Sequence, residues 1–318
     1  MKSERRVSEE EFHQLCKRFR NWGRWGEDDE IGTLNFVEPS DIVAAARLVR
    51  RGKVFSLAYP FDGTGPQTGK NLRYNTIHYM IHTGTDAVAG CQEQYGHRFA
   101  DDAIILPTQT GTQWDALSHV FYGEQMYNGY DARLVDTRGA RRNGIEKTAD
   151  RMVGRGVLLD VARELGMDAL PDGYPITQDE LDRTARSQGV DIRKGDFVLV
   201  RTGQIEDRLK SGQWNGYASG VAPGLSLDTA EWIFDHSIAA IASDTYAVEV
   251  RPEATDKIKR PWHWVVIPNM GLTVGEIFML GELAADCAQD SVYEFMFVAP
   301  PLPITGGVGS PINPLAIK

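Results

Sequence analysis

Cysteine is scarce in this chain: Cys16, Cys91 and Cys287 are the only three among 318 residues. They are far apart, odd in number and without the paired spacing of a metal knuckle. That excludes a disulfide framework and suits a reducing compartment. Long apolar runs are missing as well, so no segment reads as a bilayer span. The first residues, MKSERRVSEEEFHQLCKRF, are charged throughout where a signal peptide needs an apolar stretch. These absences predict a cytoplasmic protein with no membrane partner. Positive charge is in deficit, 34 Lys and Arg against 44 Asp and Glu for a net charge of -10, and the basic residues are scattered. Nucleic acid is therefore not an expected partner. What is present is 42% hydrophobic residues in 318, enough for a substantial core.

The pattern reads as one domain over residues 1–318 with an N-terminal arm at about 1–52. Residues 8–20 and 39–51 have helical composition, with Ser40 and Asp41 as a helix start before IVAAARLV. Between them, NWGRWGEDDEIGTLNF is a loop that must bury Trp22 and Trp25 against something. VFSLAYP reads as the first strand, followed by extended segments around 74–82 and 103–106. Farther on, GVLLD, DFVLVR and IAAIASD are short, fully apolar strands, two of them ending in an acid. Helical stretches opened by Thr177 and at LDTAEWIFDHS lie between them. Such alternation predicts an α/β fold, a mixed and mostly buried sheet with flanking helices. There is no internal repeat, low-complexity segment or clear interdomain linker.

The chemistry concentrates in LPTQTGTQWDALSHVFYG, residues 106–123. Its start reads as the end of a buried strand stopped by Pro107. TQTGT is then a polar turn, and WDALSHVF continues as a helix or helical turn. On a helix, Asp115 and His119 share a face and converge on one point. A carboxylate and an imidazole so placed can hold a metal or act as orienter and general base. On these residues alone, a capping Asp and a partly buried structural His is the commoner arrangement. A second segment, RPWHWVVIPNMGLTVGEIFMLGELA at 260–284, sets His263 between two tryptophans and follows it with a strand, a glycine turn and Glu276. HTGTD at 82–86 mimics the first segment but lacks a helix after it, and reads as an ordinary strand and turn.

The chain resembles the cyclase family of metal-dependent hydrolases, whose members include bacterial kynurenine formamidase and isatin hydrolase. The family motif His-x-Gly-Thr-His-x-Asp-Ala-x-x-His corresponds here to Gln109-Thr110-Gly111-Thr112-Gln113-Trp114-Asp115-Ala116-Leu117-Ser118-His119. The likeness continues through RWGEDDEIGTLN, YNG, RGVLLDVAR, KGDFVLVRTG and ASDTYAVEV to His263 and Glu276. It implies a swivelling β/β/α domain, usually dimeric, whose N-terminal arm helps to close the active site. In the metal-binding members of the family the two leading motif histidines are ligands, joined by the motif Asp and by a later His and Glu.

Here the two leading motif histidines are glutamine, so a two-metal site is not expected. Asp115, His263 and Glu276 remain as ligands for one divalent cation, with Gln113 offering a weak amide oxygen. Manganese or zinc is expected, with magnesium as a further option. His119 is left as general acid/base, with Asp115 beside it. Gln109 and Gln113 are candidates to line the substrate site. Trp25, Trp114 and Phe121 are candidate walls for a planar substrate, although core aromatics would look the same. The implied reaction is hydrolysis of a small cyclic or aromatic amide by a dimer or higher homo-oligomer. The alternatives are a metal-free lyase or isomerase, a lactone hydrolase, and a non-catalytic ligand-binding relative.

Overall fold

The computed structural model describes residues 4–255 and 257–318. The chain opens with α1 (Glu9–Arg18), whose first turn is capped by the Ser8 hydroxyl and carries three glutamates, while Lys17 and Arg18 close it. α2 (Pro39–Ala46) starts earlier than Ser40 and Asp41 suggest. Glu38 is its N-cap, Asp41 answers from the third helical position, and Pro39 fills the first. Next come β1 (Val54–Ser56), β2 (Ile77–His82), α3 (Gly84–Val88), β3 (Asp101–Ile105) and β4 (Gln113–Asp115). β5 (Val135–Asp136) and β6 (Gly139–Ala140) form a small hairpin. β7 (Val153–Asp160), α4 (Val161–Glu164), β8 (Pro175–Ile176), α5 (Gln178–Ser187), β9 (Phe197–Arg201), α6 (Gln204–Ser211), β10 (Gly224–Leu225), α7 (Thr229–Asp235) and β11 (Ala240–Ser243) follow. The rest is α8 (Pro261–Val265), β12 (Thr273–Glu276), α9 (Gly281–Asp290), β13 (Glu294–Val298), β14 (Gly309–Pro311) and β15 (Leu315–Ile317).

One sheet collects nine of these strands in the order β1-β15-β13-β7-β9-β11-β12-β4-β14. Its middle four, β7, β9, β11 and β12, are parallel. The strands on either side of them are antiparallel. The apolar runs therefore become buried central strands, as their lack of alternation predicts. Successive residues feed two cores on opposite faces. Val157, Leu159, Val198, Val200 and Ile241 join one with α1, α5, α7 and α8. Leu158, Phe197, Leu199, Ala240 and Ala242 join the other with α9 and the aromatics of β13. The helix opened by Thr177 is α5, its N-terminus fixed by a reciprocal Thr177–Glu180 capping box.

Two acids that end apolar strands have structural duties at the carboxyl edge of the sheet. Asp160 accepts from Arg201 at 2.8 Å. Asp244 accepts from the backbone of Thr202 and Gly203 and so fixes the turn after β9. One expectation is overturned: the strand before Pro107 is not buried. β3 pairs only with β2, apart from the main sheet, and Ile104 and Ile105 are about half exposed. Among the described residues no helix is long and apolar enough to cross a membrane.

Candidate active site

The site lies where the parallel strands give way to antiparallel ones, at the carboxyl end of β12. The WDALSHVF helix does not form. Gln113, Trp114 and Asp115 are instead held as β4 between β12 and β14, and Ala116 donates to Val308. Pairing on both sides supplies backbone partners that outweigh the local helical composition, and only a tight turn follows, from Ala116 to His119. Strand geometry then sorts the side chains by its period of two. Gln113 and Asp115 point to one face and Trp114 to the other. Glu276 stands directly across from Gln113 in the β12–β4 register, and Gln113 Nε2 donates to Glu276 Oε2 at 2.7 Å.

Trp114 is therefore no wall of the site. It is fully buried, packs on Phe278 and Phe297 in T-shaped contacts, and donates its indole N–H to Ala299. Gly275, its cross-strand neighbour, makes room for the indole, since a Cβ there would lie 2.5 Å from Trp114 Cζ3. Trp25 is likewise elsewhere, stacked edge-on against Phe36. Phe121 does line the cavity.

His263 reaches the same place from a different element. The strand expected after it is absent. Pro261–Val265 is helical and passes into a π-helical turn, Val266–Met270, which Gly271 ends with φ +79°. The N-terminal arm braces this segment, and none of its described residues lines the cavity. Arg20 bonds the Asn269 side chain, Trp22 donates to the Pro268 carbonyl, and Phe12 packs on Trp264.

Asp115, His119, His263 and Glu276 all border one cavity of about 1130 Å³. One ligand atom each from Asp115, His263 and Glu276 lies within 4.8 Å of the others, and all three residues are buried. Burial, with the Glu276 carboxylate beside it, pushes the Asp115 carboxyl well up, while His263 and Arg73 pull the other way. Burial also opposes charge on His263, but Glu249 on one side and Glu276 on the other outweigh it and hold the imidazole at about 9. His119 Nε2 is 3.8 Å from Asp115 Oδ1, and its side chain keeps 22% of its surface accessible. Burial and the nearby Arg73 push its pKa down to about 4, so it is a neutral proton acceptor at pH 7. Asp115 Oδ1 and Gln113 Oε1 are buried with no hydrogen-bond partner.

Orphaned oxygens beside crowded carboxylates are what a divalent cation would relieve, and an imidazole-carboxylate-carboxylate set suits zinc or manganese. The residues present thus fit one cation. The glutamines divide. Gln113 does not line the cavity but holds Glu276. Gln109 is bonded to the Val308 carbonyl and Thr108, and it too is absent from the cavity wall, contrary to a substrate-lining role. HTGTD lies outside the site: Thr83 caps α3, so a short helix follows the mimic and none follows the motif.

Several residues that line the cavity or stand behind its wall carry no legible sign in the sequence. Glu249 accepts from His263 Nδ1 at 3.0 Å and from the Trp262 amide. Arg73 donates to the Tyr246 hydroxyl at 3.2 Å. Arg251, Arg260 and Trp264 also line the wall. Their only trace is position: Tyr246 and Glu249 fall in ASDTYAVEV, and Arg260 and Trp264 flank His263.

The family profile described as "Putative cyclase" matches residues 52–250, well over half of the chain. This protein belongs to the cyclase family. A solved structure described as a novel cyclase is 41% identical, covering 95% of this chain and 99% of its own, with a TM-score of 0.88. Isatin hydrolase A from Ralstonia solanacearum shares the fold at 18% identity and a TM-score of 0.62, covering 88% of this chain and 98% of its own. A structure described as a potential metal-dependent hydrolase with cyclase activity is 19% identical, with a TM-score of 0.51 over 83% of this chain and 98% of its own. No curated protein matches the sequence.

Proposed function

We propose that this cyclase-family protein is a metal-dependent amidohydrolase that opens the C–N bond of a small cyclic or aromatic amide. The observation that carries the reading is the buried convergence of Asp115, His263 and Glu276 within 4.8 Å, with Asp115 Oδ1 unpartnered and a neutral His119 beside it. Asp115, His263 and Glu276 would hold the cation, with Gln113 Oε1 as a fourth, weaker donor. A cation held there supplies Lewis-acid polarisation of a carbonyl and a lowered pKa for water.

The remaining steps belong to the chain. His119 accepts the proton of the attacking water on its free ring nitrogen and returns it to the departing nitrogen. Its depressed basicity makes the protonated form a ready donor for that return. Glu249 fixes the ring of His263 so that Nε2 faces Glu276 at 3.5 Å. Phe121, Tyr246 and Trp264 line the cavity and offer aromatic faces against which a planar substrate can pack.

The test is turnover of a panel of lactams and N-formyl anilines, isatin included, by protein loaded with manganese or zinc and by the same protein after exhaustive chelation. Ring opening that requires the cation supports the reading. Full turnover without any cation favours the metal-free alternative, in which Asp115 orients His119 across their 3.8 Å separation.

The protein would act as a homodimer or higher homo-oligomer in the cytoplasm. Ile77 and Tyr79 on β2 and Ile105 on β3 are exposed on one face of an isolated antiparallel strand pair, a surface that a second copy would cover. Light scattering should give a mass above the 35.4 kDa of one chain, and Ile105→Lys should lower it. The three free thiols fit a reducing compartment.

A further inference from the structure

Among the described residues the cavity wall carries more positive charge than its acids neutralise. Lys70, Arg73, Arg251, Lys259 and Arg260 line it, against Asp115, Glu253 and Glu276. Glu253 is taken up by Lys259 at 3.7 Å. Asp115 and Glu276 face Arg73 and the proposed cation position. That leaves Lys70, which is exposed, and two arginines. Arg251 is only 6% exposed, its Nη2 donates to the Tyr217 carbonyl at 2.7 Å, and its Nε has no partner. Among the described residues no carboxylate lies within ion-pair distance of it. Arg260 reaches Glu249 only at 3.8 Å, from Nε, and that carboxylate already serves His263 and Trp262. Its Nη1 is buried and unpartnered. Burial, and then the like charge of Arg260, push Arg251 down to about 10.

A buried guanidinium with a free N–H beside a second one is costly unless an anion completes it. Planar guanidinium edges match a carboxylate. We propose that the substrate carries a carboxylate, gripped by Arg251 and Arg260 on the cavity wall, so that the protein acts on an anionic amide in preference to a neutral one. The carboxylate then anchors one end of the molecule on the arginines while its amide lies toward His119 and Asp115. That the anion is a substrate rests on the hydrolase reading; that the cavity binds it does not.

The test is binding, not turnover. Benzoate and hippurate are titrated calorimetrically against their neutral amides, benzamide and hippuramide, into the purified protein and into the same protein after chelation. At least one carboxylate should bind tenfold or more tightly than its amide in both preparations. In Arg260→Gln and Arg251→Met the preference should fall below twofold. Circular dichroism and the melting temperature confirm that each variant is folded, and Arg260→Gln keeps the test open if loss of the Tyr217 contact unfolds the other. Three results overturn the proposal: equal or undetectable binding of both members of each pair, a preference that survives in folded Arg260→Gln, or a preference that vanishes on chelation with both arginines intact. The last would make the carboxylate a metal ligand. Failure of the hydrolase reading is seen separately, as absent turnover both in the lactam panel and with carboxylate-bearing amides such as N-formylanthranilate and hippurate, and leaves these binding results unchanged.

Discussion

Glu249 Oε1 lies 3.0 Å from His263 Nδ1, which leaves the opposite ring nitrogen facing Glu276 at 3.5 Å. A histidine pinned in this way presents one nitrogen to the cavity in a fixed orientation. Glu249→Gln should weaken binding of manganese or zinc about 10- to 100-fold while the fold survives, measured by calorimetry on chelated protein. The same geometry sets a pH dependence. With its pKa held up at about 9, His263 is charged at neutral pH, and a cation must displace that proton. Affinity should therefore rise with pH up to about 9 and level off above it. Proton release, read from calorimetry in buffers of different ionisation enthalpy, checks the sign; an affinity that falls as pH rises contradicts it.

His119→Ala should lower turnover roughly 10²- to 10⁴-fold with metal content unchanged, as expected for a base outside the ligand set. Since burial and Arg73 push His119 down to about 4, it stays neutral from about pH 5 upward and contributes no inflection near pH 6 or 7. Loss of metal along with activity would make His119 a ligand.

The two glutamines should behave differently when changed to histidine. Gln113→His places an imidazole beside Glu276 and should raise zinc affinity, still with at most one ion per chain, because Gln113 faces Glu276 across the strand pair. Gln109→His should leave zinc affinity within about twofold, since Gln109 is turned to Val308. Metal analysis by mass spectrometry distinguishes them, and two ions per chain in the native protein would contradict the one-cation site.

Trp114 and Phe121 separate core from cavity. Trp114→Ala should destabilise the protein by about 3–5 kcal/mol in denaturant unfolding, as a fully buried aromatic does. Phe121→Ala should cost less stability and instead raise KM for whichever amide is turned over, because Phe121 lines the cavity. The opposite assignment of effects would return Trp114 to the substrate wall.

The sequence by itself determined the elements whose cause is local. Val157–Leu159, Val198–Val200 and Ile241 are apolar without alternation because both faces of their strands are covered, and that pattern needs no partner to be read. Thr177 and Glu180 close a capping box within one helical turn, whereas the site roles of Asp115, His119, His263 and Glu276 were implied by the family resemblance and not by their residue types alone. What only the tertiary structure decided is how those groups meet. β4 is three residues long, and its state is set by β12 and β14, both far away in the chain, so local composition could point to a helix that does not form. That pairing turned Trp114 into the core and Gln113 toward Glu276. Glu249, Arg251 and Arg260 were silent for the same reason: a carboxylate or guanidinium reveals its task only through what it is buried against, and those neighbours come from elements distant in sequence.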